Sequence, residues 1–193
     1  MNKNRLEAFS DGVIAIIITI MVLEIKVPHG EQLADLLPLW PVVLSYVLSF
    51  VNVGIYWNNH HHLLHATRHV NGGILWANLN LLFWLSLMPF ATAWVGENHF
   101  AATPLAIYAA DLFMCAISYT VLQAVIIKAH GSDSLLSQAV GHDLKGKISL
   151  VFYLLAMVLA LSGLSVVAGA LILAVACIWL IPDRRIERKM VSE

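Results

Sequence analysis

Long apolar segments, separated by short polar breaks, follow one another along the whole chain. A helix needs roughly 20 mostly apolar residues to cross a membrane. The first segment has this length and ends at a Pro-His-Gly sequence that favours a turn. The pattern therefore predicts a series of membrane-spanning helices, of which the first four cover residues 6–26, 39–66, 74–96 and 104–128.

The last apolar stretch is too long for one span. It runs from residue 148 to residue 181, and as a single helix it would extend about 51 Å. The hydrocarbon core of a bilayer is only about 30 Å thick. The stretch therefore predicts two spans, 145–161 and 164–181, joined near Ser162–Ser165, which brings the predicted total to six.

The basic residues are distributed unevenly between the two sides that six spans would create. All but one of the 11 lysines and arginines fall on the side that holds both ends of the chain. The exception is Lys26, and the others are Lys3, Arg5, Arg68, Lys128, Lys145, Lys147, Arg184, Arg185, Arg188 and Lys189. Basic residues favour the cytoplasmic side of a membrane, so both termini are predicted to be cytoplasmic. Five spans would move the RRIERK sequence to the opposite side and weaken this agreement.

The composition agrees with an integral membrane protein. Of the 193 residues, 60% are hydrophobic and 12% are charged, whereas soluble domains average about half apolar and about a quarter charged. We therefore predict one all-α membrane domain over residues 1–193, without internal repeats. The net charge of −1 argues against nucleic acid as a partner. Cys115 and Cys177 lie inside apolar segments, so we interpret them as small core residues rather than as a disulfide or metal ligands.

The first apolar segment is interpreted as a retained span rather than a signal peptide. Glu7 and Asp11 precede its apolar stretch, and no small-residue cleavage site lies near Pro28. At 100° per residue, one stripe of the helix combines a glycine, a hydroxyl group and bulky aliphatic side chains. Two interpretations of this stripe remain open. It is either a surface that contacts lipid or other helices, or the lining of a pathway through the membrane. The stripe consists of Gly12, Ile16, Thr19, Ile20, Leu23 and Val27.

Ser10 and Asp11, near the start of this segment, also allow two interpretations. They are suitable N-cap residues, with Arg5 as a cytoplasmic anchor. Alternatively, Arg5 and Asp11 belong to a buried polar cluster and pair with groups on other helices, because polar groups at membrane depth need partners. For the same reason we expect Asn78 and Asn80, in the third span, to bond to adjacent helices.

Five histidines lie near the end of the second span, in the sequence YWNNHHHLLHATRH at 56–69. His61, His65 and His69 would share one helix face at i, i+4 and i+8, which is one way to bind a metal. The segment has no carboxylate or thiolate and no HExxH order, so no metal site is predicted. The histidines then bond to neighbouring helices, face water or respond to pH near 6.5.

Asp111 is the one carboxylate well inside the fourth span. A lone carboxylate there is costly, so it faces water, binds a proton or pairs with a cation, for which Lys26 is the candidate. One functional interpretation is therefore a proton- or ion-coupled transporter that uses Asp111 and the histidine cluster. An enzyme needs a nucleophile, a base or metal ligands in one constellation. Only the histidines offer such material, so no enzymatic activity is predicted.

Five short motifs together resemble the transmembrane protein 175 potassium-channel family. RLEAFSDG at 5–12 matches the family signature R-x-x-x-F-S-D, at the start of the first span. The other matches are VLEIKVP, YWNNHH, PFATAW and LIPDRR, and they extend the resemblance over nearly the whole chain. One copy of the unit resembles the prokaryotic branch, whose members assemble as homotetramers. The animal channels carry two such units per chain.

The resemblance implies that the first helix of each subunit lines a central pore. The family's constriction uses bulky aliphatic side chains one turn apart, which here fall on Ile16, Ile20 and Leu23. Thr19 corresponds to a position that adds a layer of hydroxyl groups. The signature residues hold the pore helix against its neighbours, and the implied polar network comprises Arg5, Phe9, Ser10, Asp11, Trp57 and His61.

The resemblance also implies a modestly selective potassium channel in the plasma membrane of a prokaryote. The chain lacks a T-V-G-Y-G-like loop, from which ordinary potassium channels build their filter. Selectivity would then arise at the narrow aliphatic neck, which also gates by dewetting. Glu24 would attract cations at the outer mouth, or it is a solvated interfacial carboxylate. No cofactor is expected, and K⁺ is the permeant ion.

Overall fold

The computed structural model describes residues 2–131 and 143–180, and within them all the regular secondary structure is helical. A short 3-10 helix, Leu33–Leu39, precedes the second long helix. The α-helices are α1 (Lys3–Leu23), α2 (Trp40–His65), α3 (Gly72–Leu85), α4 (Met88–Glu97), α5 (Ala102–His130), α6 (Leu144–Leu161) and α7 (Ser165–Leu180). The predicted all-α membrane architecture is confirmed.

The apolar segment Gly72–Glu97 forms two helices rather than one, with a break between α3 and α4. Pro89 is the second residue of α4. It has no backbone N–H to donate to a carbonyl one turn earlier, so the regular helix is interrupted at this point. The sequence predicted a single span here, and the break is an irregularity within that span.

Five helical segments are long and apolar enough to cross a membrane. They are Lys3–Leu23, Leu33–His65, Gly72–Glu97, Ala102–His130 and Leu144–Leu161. The remaining helix, α7, is a shorter apolar helix within the described residues. Taken together, the helices are consistent with the predicted count of six spans.

The helices pack in two groups that share α5. Helix α1 lies against α2, α3 and α4, whereas α5 contacts α3, α4, α6 and α7. A small residue allows close contact between α2 and α4 within the first group. A Cβ atom added to Gly96 would lie 2.5 Å from the Ser45 hydroxyl oxygen and 2.7 Å from Val42 Cα. Glycine is therefore required for the observed approach of α4 to α2.

Two contacts between helix termini involve lysines, and both lie at the same end of the helix bundle. The Lys3 ammonium group donates to the His65 carbonyl, 2.7 Å away, and joins the start of α1 to the end of α2. The Lys145 ammonium group lies 5.7 Å from the centroid of the Trp179 ring and joins the start of α6 to the end of α7. We name this end of the bundle the basic end.

Candidate functional site

Helix α1 has one face that packs into the protein. Its buried residues recur every three or four positions, as expected for a helix that lies against its neighbours along one side. They are Leu6, Ser10, Ile14, Ile17 and Met21. Most of this face is apolar and contributes to the core. Packing of this face fixes which residues α1 presents on its other side.

The opposite face of α1 carries the predicted constriction residues, and it points away from the rest of the chain. Ile16 is 58% exposed, Ile20 41% and Leu23 77%. Thr19 is also exposed, and its hydroxyl donates to the Ile16 carbonyl, 2.9 Å away. Glu24 is exposed just beyond the end of the helix. Among the described residues, nothing covers this stripe of large aliphatic side chains.

The signature aspartate holds α1 to α2 near the basic end. One Asp11 carboxylate oxygen accepts a hydrogen bond from the Trp57 indole nitrogen, 3.0 Å away. The Trp57 ring stacks on the His61 ring, with centroids 6.2 Å apart and planes inclined by 27°. His61 Nδ1 lies 3.2 Å from a Glu7 carboxylate oxygen, an ion pair when His61 is protonated. Three predicted network residues therefore meet, together with Glu7, which no sequence motif indicated.

A second polar link is buried between three helices. The Ser10 hydroxyl donates to the Leu6 carbonyl, 2.9 Å away, and accepts from the Asn78 amide at 3.0 Å. The Asn78 carbonyl oxygen accepts a hydrogen bond from His60 Nε2, 2.6 Å away. The predicted bond of Asn78 to adjacent helices is confirmed. Sequence reasoning did not single out His60, because all five histidines have similar polar surroundings in the sequence.

The other predicted members of the network lie outside these contacts. Phe9 is 52% exposed, and Arg5 is exposed as well. The N-cap of α1 is Asn2, whose side chain accepts from the backbone of Asn4. The interpretation of Ser10 and Asp11 as N-cap residues is therefore wrong, because α1 begins about two turns before them.

The histidine face expected on the second span does not form. Helix α2 ends at His65, so His69 lies in the following loop and not on the face of His61. Its ring instead packs on His130 at the end of α5, with centroids 4.3 Å apart. No group of three potential metal ligands occurs among the residues that the structure describes.

Asp111 is buried on α5, with only 6% of its surface exposed. Within the described residues, neither carboxylate oxygen has a hydrogen-bond partner. Lys26 forms an ion pair with Glu97 instead, so the suggested pairing of Lys26 with Asp111 is wrong. Asp111 also lies about 28 Å along α5 from the basic end, where the histidines are. The structure therefore does not bring Asp111 and the histidine cluster together.

The sequence is similar to known channels over different parts of its length. The family described as "Endosomal/lysosomal potassium channel TMEM175" matches residues 5–89. A potassium channel of Chryseobacterium sp. (strain P1-3) is 55% identical over 190 residues, which are 98% of each chain. The human endosomal/lysosomal proton channel TMEM175 is 38% identical over 96 residues, which are 43% of this chain and 19% of the human protein.

The fold is similar to that of a solved channel. It matches the crystal structure of a lysosomal potassium-selective channel TMEM175 homolog from Chamaesiphon minutus, with a TM-score of 0.78 and 28% sequence identity. The match covers 94% of this chain and 97% of the crystallised one. The motif resemblance noted above is thereby confirmed. The chain belongs to the TMEM175 family of potassium channels, which are not enzymes.

Proposed function

We propose that four copies of this chain form a potassium channel in a prokaryotic plasma membrane, with α1 of each copy lining the central pore. The bacterial relatives named potassium channels support the permeant ion. The distribution of basic residues supports cytoplasmic termini. The observation that carries the proposal is the exposed stripe of Ile16, Ile20 and Leu23, on the face of α1 that residues 2–131 and 143–180 leave uncovered.

The proposed constriction would select and gate ions because it is narrow and apolar. Ile16 and Ile20 are four residues apart and therefore about 6 Å apart along the axis of α1. Four copies of each side chain around a common axis would leave a narrow apolar neck. A cation must lose part of its hydration shell there, and K⁺ loses water more readily than Na⁺. The same neck closes when it dewets, so that one element acts as filter and gate.

Thr19 supplies polar oxygen atoms to this neck. Its hydroxyl hydrogen is used in the bond to the Ile16 carbonyl. The lone pairs of the oxygen are therefore the part of the group available to a passing ion, and lone pairs favour a cation. Glu24, beyond the end of α1, adds negative charge that concentrates cations at the outer mouth.

The signature residues fix the rotation of α1 about its own axis. The bond between Asp11 and Trp57 and the bond between Ser10 and Asn78 both attach α1 to neighbouring helices. If α1 turned, both bonds would break. We infer that this attachment keeps Ile16 directed at the pore.

The test is the substitution Ile16→Asn, which adds an amide that water can hydrate. We expect larger single-channel conductance and weaker preference for K⁺ over Na⁺ in planar bilayers with the two ions on opposite sides. Ile107→Asn is the matched control, because Ile107 is an exposed isoleucine on α5. It should leave both quantities unchanged. Unaltered conductance and selectivity in Ile16→Asn would mean that Ile16 is not at the constriction.

A further inference from the structure

The short helix α4 supports the far half of α1, the half that lies away from the basic end. Met21, the residue after Ile20, is fully buried, and its sulfur lies 3.9 Å from the Thr92 hydroxyl oxygen of α4. Lys26, just beyond α1, forms an ion pair with Glu97, the last residue of α4. Because the helix is broken between α3 and α4, the position of α4 does not follow from that of α3. Contacts of α4 with other helices must fix it.

Three buried hydroxyl groups attach α4 to α2 and α5, and we name them the hydroxyl chain. They belong to Thr92 of α4, Ser49 of α2 and Tyr108 of α5, none of which is more than 3% exposed. The oxygen atoms of Thr92 and Ser49 lie 2.7 Å apart, and those of Ser49 and Tyr108 lie 2.9 Å apart. The Thr92 hydroxyl also bonds to the Met88 carbonyl, 2.6 Å away.

The hydrogen bonds of the hydroxyl chain run in one direction. A carbonyl can only accept, and Thr92 has a single hydroxyl hydrogen, which therefore goes to Met88. The Ser49 hydroxyl then donates to Thr92, and the Tyr108 hydroxyl donates to Ser49. Linked bonds of this kind strengthen one another, and at membrane depth water is not available to replace a lost partner. The chain therefore holds Thr92, and with it the surface on which Met21 packs.

We propose that the three residues of the hydroxyl chain are positioning residues for the pore. Through Met21 they set how close the far half of α1 lies to the pore axis, and thereby the width of the constriction at Ile20. This inference rests on the pore proposed above. The links at Ser10 and Asp11 hold the other half of α1, so that the helix is fixed at two levels. None of the three hydroxyl groups belongs to α1, so their effect on ions is indirect.

The substitutions Thr92→Val and Thr92→Ser form a matched pair. Valine keeps the branched shape but removes the hydroxyl, whereas serine keeps the hydroxyl. In planar bilayers, we expect Thr92→Val to lower the preference for K⁺ over Na⁺ several-fold, and Thr92→Ser to remain close to the wild type. An unchanged preference in Thr92→Val would overturn the proposal, and so would equal losses in the two variants.

Tyr108→Phe tests the other end of the hydroxyl chain, and it carries the test if Thr92→Val does not fold. It removes one hydroxyl that is two hydrogen bonds away from Thr92, and it should shift the ion preference in the same direction. Tyr46→Phe is the control, because Tyr46 lies on α2 but outside the chain. It should leave the preference unchanged. Equal effects of the two substitutions would refute the specific role of the chain.

A measurement that needs no conduction separates this inference from the pore itself. In the full chain labelled with ¹³C at the methionine methyl groups, in lipid nanodiscs, the Met21 resonance is assigned by its loss in Met21→Leu. Tyr108→Phe should shift this resonance and leave that of Met157, on α6, in place. An unshifted Met21 resonance would refute the mechanical link, whatever the pore does. A shifted resonance with a wild-type ion preference would refute the positioning role, while Ile16→Asn tests the pore independently.

Discussion

Asn78 is a single side chain that joins three helices. Its amide nitrogen donates to Ser10 on α1, and its carbonyl oxygen accepts from His60 on α2. All three residues are fully buried. Water cannot replace the amide there, so both partners depend on it for these hydrogen bonds.

We predict that Asn78→Leu destabilises the protein while leaving the volume of the side chain similar. The Ser10 oxygen and the His60 N–H group would lose their partner, and each unsatisfied buried group costs about 1–3 kcal/mol. Reversible unfolding in detergent micelles, followed by circular dichroism, measures the change. The expected result is a lower free energy of unfolding.

Asn80→Leu is the matched control for this substitution. Asn80 makes a hydrogen bond of 2.8 Å to Ser118 on α5, as predicted, but its side chain is exposed at the surface of the chain. The loss of stability should therefore be clearly smaller than for Asn78→Leu. Equal losses in the two variants would show that burial of the network does not determine its contribution.

At the scale of elements, the loop between α2 and α3 is held by the end of α5. His130 Nδ1 donates to the Ile126 carbonyl, 2.9 Å away, so Nε2 is the acceptor in this arrangement. It accepts the backbone N–H groups of Arg68 at 3.0 Å and His69 at 3.3 Å. One imidazole ring thus ties the connection between two spans to a third.

We predict that His130→Phe loosens this loop without unfolding the helices. Phenylalanine keeps a ring next to His69 but provides no acceptor for the two N–H groups. Loss of one hydrogen bond worth ~1 kcal/mol corresponds to roughly fivefold faster exchange. Hydrogen–deuterium exchange of the Arg68 and His69 amides, measured by mass spectrometry, should show this acceleration.

His29→Phe is the control, because His29 is an exposed histidine in the connection after α1. It should leave exchange in the loop between α2 and α3 unchanged. Wild-type exchange rates in His130→Phe would indicate that the contacts of His130 do not hold the loop in solution.

At the scale of the whole molecule, α1 is a helix with one face packed and the other uncovered. The uncovered stripe contains Ile16, Ile20 and Leu23, while the buried face anchors α1 to its own subunit. An apolar face can meet lipid, so exposure alone does not require a partner. The polar links at Asp11 and Ser10 favour a pore, because lipid contact does not require a fixed rotation of the helix.

Cross-linking distinguishes the two environments. In a variant with Cys177→Ala, which removes the exposed native thiol, we predict that Ile16→Cys is joined between subunits by a short bismaleimide. Four copies around one axis bring these thiols together. Covalent dimers on denaturing gels, and a tetramer in native mass spectrometry, are the expected readouts.

Val158→Cys provides the comparison, because Val158 is an equally apolar and exposed position on α6. It should give no dimers if α6 faces lipid. Dimers through Val158→Cys but not through Ile16→Cys would mean that α6, and not α1, lies at the centre of the assembly.

Much of the fold follows from local properties of the sequence. Apolar length predicts helices that span a membrane, and a period of 3.6 residues assigns Ile16 and Ile20 to one face of α1. The motif R-x-x-x-F-S-D indicates the family without any knowledge of tertiary contacts. The break between α3 and α4 also has a local cause, the proline at position 89, although the apolar pattern alone predicts one continuous span here.

The hydrogen-bond and ion-pair partners of polar side chains could not be predicted from local sequence. Nothing near Glu7 in the sequence indicates His61, and nothing near Asp111 indicates that Lys26 pairs with Glu97 instead. A polar group at membrane depth must be satisfied, but the sequence alone does not say by which distant residue.

The sequence by itself therefore determined the membrane helices, the set of side chains that share one stripe of α1 and the asymmetry of basic charge, because each depends on neighbours within one helix or on composition. Tertiary structure alone decided that Asn78 joins Ser10 to His60 and that Asp111 is buried without a hydrogen-bond partner among the described residues. These contacts depend on the rotation of each helix about its own axis relative to helices that are distant in the sequence. That rotation is set by the packing of whole helix faces.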